Sequence, residues 1–183
     1  MTSISYGVKN FAAWLKKAGK IEAQSFMQII LIAVGRRMPQ WVDEAFVEYA
    51  RRMPRHCSLQ LVEINAGKRG KNTDIERINR EEGDRLLQAV PAGSRVIALE
   101  RTGKEKSTEQ LSESMKKWLQ QGHDVVLLVG GPEGLSKACL DFADECWSLS
   151  KMTLAHPLVR VVLAEQIYRA WSIIANLPYH RGE

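Results

Sequence analysis

Continuous apolar stretches and amphipathic stretches alternate along the chain from Met27 onward. Three apolar runs are typical of strands buried in a parallel sheet, at residues 27–34, 95–99 and 125–129. Residues 58–65 alternate between apolar and polar positions, which predicts a further strand, and residues 146–149 predict a short last one. Because the run at 125–129 is the most apolar, we expect it at the centre of the sheet.

Segments with apolar residues at helical spacing separate these strands. The predicted helices begin after Pro39, with Trp41 on the buried face, and after Ser136, and they also span residues 72–90, 108–121 and 157–176. Gly122 is expected to end one helix as a C-cap, and Pro157 to lie in the first turn of the longest one. The alternation predicts an α/β fold in one domain, residues 27–183, with a mostly parallel sheet and helices on both faces.

The composition is that of a globular protein, with 45% hydrophobic and 26% charged residues. No apolar run approaches the roughly 20 residues that span a bilayer, so no membrane association is expected. The three cysteines form no CxxC pair, which argues against a disulfide framework or a metal site and favours the reducing cytoplasm.

Residues 1–26 differ from the rest, with four lysines against one glutamate and a weak helical pattern. The favoured interpretation is an extension outside the domain, with Met27 as the natural start. The alternative is an arm that contacts RNA or a membrane surface.

Two loops follow predicted strands and are suited to ligand binding. Residues 130–134, GGPEG, place three glycines where backbone can approach a flat ligand, but they match neither a P-loop nor a GxGxxG fingerprint. Residues 148–157 are mostly small or apolar, which suits a methionine side chain and an adenine ring. The structural alternatives are a tight strand-to-helix turn for the first loop and a buried connector for the second, with His156 as a helix cap.

Two further segments carry groups that suit nucleic acid. The loop at residues 67–71, GKRGK, offers three cations for phosphate contacts, or it is simply a solvated charge run. In the tail at residues 176–181, Tyr179 or His180 could stack on a base and Arg181 could hold a phosphate. The alternative for the tail is a frayed terminus.

Together these segments resemble the RlmH family of SPOUT-class ribosomal RNA large-subunit methyltransferases. The resemblance rests on AVGRRMPQWV, AGKRGKN, LLVGGPEGLS, WSLSKMTLAHPLVRVVLAEQIYRAWSI and PYHR, and it does not cover residues 1–26. The chain departs from the family pattern at Ala155 and Leu177. The resemblance implies a C-terminal trefoil knot, S-adenosylmethionine as cofactor, and methylation of N3 of a pseudouridine in 23S ribosomal RNA, in the large subunit or the whole ribosome.

The resemblance and the loop chemistry lead to three sets of expected site residues. The cofactor contacts are Leu99, Gly130, Gly131, Gly134, Ser150, Lys151, Met152, Thr153, Leu154 and Ala155. The RNA contacts are Lys68, Arg69, Lys71, His156, Arg160, Arg169 and Tyr179. The catalytic groups, with the general base left open, are Glu165, Tyr168, His180 and Arg181.

The resemblance also implies a homodimer in which the tail of one subunit reaches the cofactor pocket of the other. The longest helix fits this, because its apolar residues are more than one covered face is expected to need: Val161, Val162, Ile167, Trp171 and Ile174. Three rival functions remain: a related methyltransferase acting on tRNA, a non-catalytic ribosome assembly factor, and a nucleotide-binding α/β protein. The last is disfavoured because a phosphate-loop lysine is missing.

Overall fold

The computed structural model describes residues 26–70 and 73–181. The predictions for the N-terminal extension and for Lys71 therefore fall outside the described residues, apart from Phe26. Within the described ranges, no helix combines the length and the apolar character that crossing a membrane requires.

Five parallel strands form one sheet with the order β2-β1-β4-β3-β5. They are β1 (Met27–Val34), β2 (Cys57–Ile64), β3 (Arg95–Glu105), β4 (Val125–Val129) and β5 (Glu145–Ser148). All five residues of β4 are buried, and this strand lies in the middle of the sheet as predicted. The predicted α/β class with a parallel sheet is confirmed.

Helices cover both faces of the sheet, which is why β4 is apolar throughout and β1 is apolar except at the exposed Gln28. They are α1 (Gln40–Ala50), α2 (Ile75–Gln88), α3 (Thr108–Gln121), α4 (Lys137–Phe142) and α5 (His156–Ile174), followed by a 3-10 helix (Pro178–Arg181). Ile29 and Leu31 of β1 face a core shared with α1, α3 and α5, whereas Ile30 and Ile32 face α2 and α4. Successive side chains of β1 point to opposite faces of the sheet and therefore pack into two separate cores.

Three predicted helix ends that carry a specific residue signal are confirmed. Gly122 ends α3 with φ 72°, a left-handed conformation that glycine adopts without a Cβ penalty. The Ser136 hydroxyl accepts a hydrogen bond from the backbone N–H of Cys139 and so caps α4. Pro157 lies in the first turn of α5, where its missing N–H costs nothing.

The structure differs from the prediction in β3 and α1. β3 continues to Glu105, with a register shift against β5 between Leu99 and Lys104. The sequence pattern hid this extension because its residues are polar and partly exposed. In α1, Trp41 is 48% exposed and does not lie on the buried face, which is formed by Val42 and Phe46.

Part of the sequence argument for a second copy on α5 is also corrected. Ile167 and Trp171 fill the core of this chain itself, so their apolar character needs no partner. Val161 and Val162 are half-buried, and Leu158 is 42% exposed.

Arg160 joins the carboxyl ends of β1 and β2 to α5, and its side chain has no exposed surface. Nη1 donates to Oε1 of Glu63 at 2.6 Å, and Nη2 donates to the carbonyl oxygens of Val34 at 3.2 Å and Gly35 at 2.6 Å. The expectation that Arg160 contacts RNA is therefore wrong for this structure, because the guanidinium is enclosed and bonded within the protein. Its position instead fixes the start of α5 at the carboxyl edge of the sheet.

We predict that Arg160→Met lowers the free energy of unfolding by about 3 kcal/mol, because the partner carboxylate and two carbonyls lose their donor. Urea denaturation measures this change. Arg77→Met on α2 is the matched control, since Arg77 forms an exposed ion pair with Glu81, and it should cost less than about 0.5 kcal/mol. Equal stability of the Arg160→Met chain and the wild-type chain would contradict the anchoring role.

Candidate functional site

The carboxyl ends of β4 and β5, together with the irregular middle of β3, open into one cavity of about 550 Å³. Its walls come from residues 99–101 of β3, residues 129–134 at and after the end of β4, and residues 147–150 and 152–154 at and after the end of β5. His156 and Val159 of α5 complete the lining. Parallel strands bring their carboxyl ends to the same edge, and ligands of open α/β sheets bind there.

The cavity brings together most of the residues that the sequence predicted for the cofactor. The predicted residues that line it are Leu99, Gly130, Gly131, Gly134, Ser150, Met152, Thr153 and Leu154. Lys151 and Ala155 belong to the same loop but do not line the cavity. The glycine-rich loop and the small-residue loop therefore share one cavity.

The glycines of residues 130–134 are required by the tightness of the loop. A Cβ on Gly130 would lie 2.3 Å from the carbonyl carbon of Gly134, which leaves no room for a side chain. Gly134 has φ +81° and donates its backbone N–H to the carbonyl oxygen of Gly131 at 3.0 Å. The loop that was predicted to bind a ligand is thus also a tight turn, and its glycines present backbone to the cavity.

The loop after β5 is exposed, so the alternative of a buried connector is wrong. Met152 is 76% exposed although its side chain is apolar. Ser150 organises this loop, because its hydroxyl accepts the backbone N–H of Met152 at 3.0 Å and its carbonyl oxygen accepts the Ser148 hydroxyl at 3.0 Å. An apolar side chain held at the mouth of a cavity favours a partly apolar ligand.

His156 lies in the cavity wall and is not a helix cap, since Ala155 occupies the N-cap position without a side-chain hydrogen bond. Burial, and then the positive charge of Arg160, hold the pKa of His156 below its ordinary value, although backbone hydrogen bonds with Val34 and Gly130 oppose the shift. Its Nε2 lies 3.3 Å from Nη2 of Arg160. The imidazole of His156 thus lies between the cavity and the Arg160 guanidinium that holds the start of α5.

The predicted basic loop lies beside the cavity, but its cations differ in position. Lys68 is exposed. Arg69 forms ion pairs with Glu82 of α2 and with Glu133 of the glycine-rich loop. Because of the hydrogen bonds from Arg69, the pKa of Glu133 is lowered. The structure therefore places Arg69 between two carboxylates rather than in open solvent.

The tail packs on α5 and gathers several of the predicted catalytic and RNA-binding residues into one cluster. The Tyr179 hydroxyl donates to Oε1 of Glu165 at 3.1 Å, and burial raises the pKa of Tyr179. Arg169 donates from Nε to the same carboxylate oxygen at 2.7 Å and lies over the Tyr179 ring, 4.7 Å from its centroid. The ring centroids of Tyr168 and Tyr179 are 4.8 Å apart.

In the same segment, Nδ1 of His180 is buried without a hydrogen-bond partner among the described residues, and Arg181 is exposed.

This tail cluster does not reach the cavity of its own chain. None of Glu165, Tyr168 and Tyr179 is among the residues that line the cavity. Glu165 follows Val159, the last residue of α5 that lines the cavity, by six positions, which corresponds to about 9 Å at 1.5 Å per residue. One chain thus carries the two halves of the predicted site at separate places.

Sequence reasoning missed several residues of the site. Glu100 and Arg101 line the cavity directly after Leu99, and the rule that ligands bind at strand ends could have found them. Glu133 was inside the predicted loop but was not singled out. Glu82 gave no signal, because a glutamate in an amphipathic helix is ordinarily solvated.

Comparison with known proteins agrees with this geometry. Residues 27–180 match the sequence model of the family described as "Predicted SPOUT methyltransferase". A protein from Marinomonas sp. (strain MWYL1), named "Ribosomal RNA large subunit methyltransferase H", is 56% identical over 155 residues, which are 85% of this chain and 100% of the relative. A protein of the same name from Methylococcus capsulatus is 55% identical over 155 residues, with the same coverage. The chain therefore belongs to the SPOUT methyltransferase family, as its resemblance to the RlmH proteins predicted.

Proposed function

We propose that this methyltransferase transfers a methyl group from S-adenosylmethionine to N3 of a pseudouridine in 23S ribosomal RNA, within the assembled ribosome. The observation that carries the proposal is the single cavity between residues 130–134 and residues 150–154. The names of the two relatives support a substrate in the large ribosomal subunit. The domain that does this begins at Met27, and we expect it to act in the cytoplasm.

The residues around the cavity fit S-adenosylmethionine. A volume of about 550 Å³ is in the range of small-molecule sites. Leu99 and Leu154 offer apolar contacts, the glycine-rich loop offers backbone groups, and Glu100 offers a carboxylate near a positively charged ligand. The bound cofactor would supply a methyl group on a sulfonium, so the protein has mainly to position the two reactants. The trefoil knot implied by the family would hold these loops around the cavity.

The active site is composite in this proposal, with the tail cluster of one subunit facing the cavity of a second copy. The support is the separation of the two within one chain. Leu158, Val161 and Val162 provide apolar surface on α5 for the second copy. Both halves of the site are carried by α5, so a contact between the α5 helices of two copies brings them together.

The chemistry of the substrate assigns roles to the tail. An imide N–H is a weak acid, and a nearby cation favours its ionised form. We expect His180 and Arg181 to face the base, whereas Arg169 is held by Glu165 and Tyr179. The Glu165 carboxylate accepts hydrogen bonds from Arg169, Tyr179 and Gln166, so its role in this arrangement is to orient the tail. Lys68 and Lys71 are the expected phosphate contacts.

We predict that Thr153→Trp weakens S-adenosylmethionine binding at least tenfold, because an indole would fill the cavity from an exposed position on its wall. Isothermal titration calorimetry measures the affinity. Gln120→Trp, on the exposed side of α3, is the control and should leave the affinity unchanged. If wild-type protein does not bind the cofactor at all, the chain is not an S-adenosylmethionine-dependent enzyme, and the assembly-factor alternative gains support.

Deletion of residues 179–183 should leave cofactor affinity within about threefold and abolish methylation, because the tail acts on the substrate and not on the cofactor. Calorimetry and methyl transfer to ribosomes measure the two effects. Full activity of the truncated chain would contradict a role of the tail in catalysis.

Mixing two impaired variants, at a cofactor concentration too low to occupy the Thr153→Trp cavity, tests whether the site is composite. Chains with Thr153→Trp keep the tail, and truncated chains keep the cavity. If equal amounts are unfolded and refolded together, half of the dimers are mixed and each carries one intact site, so roughly a quarter of wild-type activity should return. No recovery, with mixed dimers demonstrated by native mass spectrometry, would show that the tail acts within its own subunit.

Assembled ribosomes should be methylated at least a hundredfold faster than tRNA or protein-free ribosomal RNA. The described chain has no RNA-binding domain besides the sheet and its helices, so recognition depends on the folded ribosome. Parallel assays on the three substrates, with mass mapping of the product, measure this preference. Preferential methylation of tRNA would support the tRNA alternative.

A further inference from the structure

A buried carboxylate lies behind the glycine-rich loop. Glu82 of α2 is 3% exposed, and an ionised carboxylate at such a position is costly unless it is paired and hydrogen-bonded. Its Oε1 accepts the backbone N–H of Gly67 at 2.7 Å and Nη1 of Arg69 at 3.0 Å, and its Oε2 accepts Nη2 of Arg69 at 3.2 Å. Glu82 thus holds the beginning of the basic loop by backbone and by side chain.

Arg69 extends this contact to the glycine-rich loop. Its Nε donates to Oε2 of Glu133 at 3.2 Å and its Nη2 to the same oxygen at 2.5 Å, while Nη1 also donates to the carbonyl oxygen of Gly67 at 3.0 Å. With the two bonds to Glu82, every N–H of this guanidinium has an acceptor within the protein. The donors of Arg69 are therefore engaged within the protein although the residue is exposed, and its expected role as an RNA contact stays a prediction.

The cluster formed by Glu82, Arg69 and Glu133 lies directly behind the wall of the cavity. A Cβ built on Gly131 would be 2.8 Å from Oε2 of Glu82 and 3.3 Å from Nη2 of Arg69. Gly131 and Glu133 line the cavity, whereas Glu82 and Arg69 do not. Glu82 and Arg69 therefore support the glycine-rich loop from behind the cavity wall, outside the lining that a ligand would contact.

We infer that Glu82 and Arg69 are positioning residues, which fix the glycine-rich loop in the shape that binds the cofactor and tie it to the loop that carries Lys68. The inference rests on the proposed function, because it concerns the same cavity. Its physical basis is that Arg69 is the one described side chain bonded to both loops and to the buried carboxylate. Loss of the ion pair of Arg69 with Glu82 or with Glu133 frees residues 130–134 to adopt other conformations. The conformation that binds the cofactor is then less populated, so the apparent affinity falls.

Binding of S-adenosylhomocysteine to single variants tests this inference. Arg69→Lys keeps the charge but cannot donate to both carboxylates in the same geometry, and Glu82→Gln keeps the shape but loses the charge. We expect each to weaken binding about tenfold in calorimetry. Glu81→Gln is the matched control, since Glu81 precedes Glu82 on α2 and pairs with exposed Arg77 and Arg85, and it should bind like the wild type.

A double-mutant cycle separates positioning from a general loss of structure. Glu133→Gln and Glu82→Gln act through the same guanidinium, so the double variant should lose clearly less affinity than the two single losses combined. Independent, additive losses would overturn the link through Arg69. Because Glu133 is at the surface of the cavity, the Glu133→Gln variant should fold even if the Glu82→Gln variant does not. In that case the cycle is made from Glu133→Gln and Arg69→Lys.

Kinetics give a readout that a merely structural role would not move. For Arg69→Lys, the KM for the cofactor should rise about tenfold, while kcat at saturating cofactor stays within about threefold of wild type. Wild-type affinity and KM in this variant, with the wild-type chain binding normally, would overturn the inference and leave the proposed function intact. A wild-type chain that does not bind S-adenosylhomocysteine would instead overturn the proposed function.

Discussion

The parallel direction of all five strands is the constraint on which the rest of this structure depends. It brings the carboxyl ends of β4 and β5 to one edge, beside the irregular middle of β3, so three segments that are far apart in sequence line a single cavity. The glycines of residues 130–134 let backbone approach backbone there, and residues 147–150 and 152–154 form another wall. The cavity follows from strand direction combined with two loops that are rich in glycine and other small residues.

Two arginines show why a basic residue in the sequence is not yet a nucleic-acid contact. Arg160 has no exposed surface and holds α5 to the ends of β1 and β2. Arg69 is hydrogen-bonded to two carboxylates and a carbonyl oxygen, and it joins the basic loop to the glycine-rich loop. Both guanidiniums act as multidentate donors inside the protein, a geometry that lysine cannot replace. The groups left for phosphate are exposed ones such as Lys68.

The sequence predicted those elements whose physical signals are local. The bounds of β4 matched because a fully apolar run marks the strand, and the end of α3 matched because a left-handed glycine follows it. The second half of β3 was missed because its residues are polar, and the buried faces of α1 and α5 were misjudged because spacing alone does not fix which side packs. The glycine-rich loop was found from its composition, but the buried Glu82 beneath it depends on tertiary contacts that no local pattern reveals.

The central claim is that the glycine-rich loop and the loop after β5 bind one methyl donor between them. A crystal structure of the chain with S-adenosylhomocysteine tests this most directly. We expect a ligand that contacts the backbone of residues 130–134 on one side and residues 150–154 on the other, and that also contacts the side chain of Leu99. A ligand bound elsewhere, or in contact with only one of the two loops, would contradict the account.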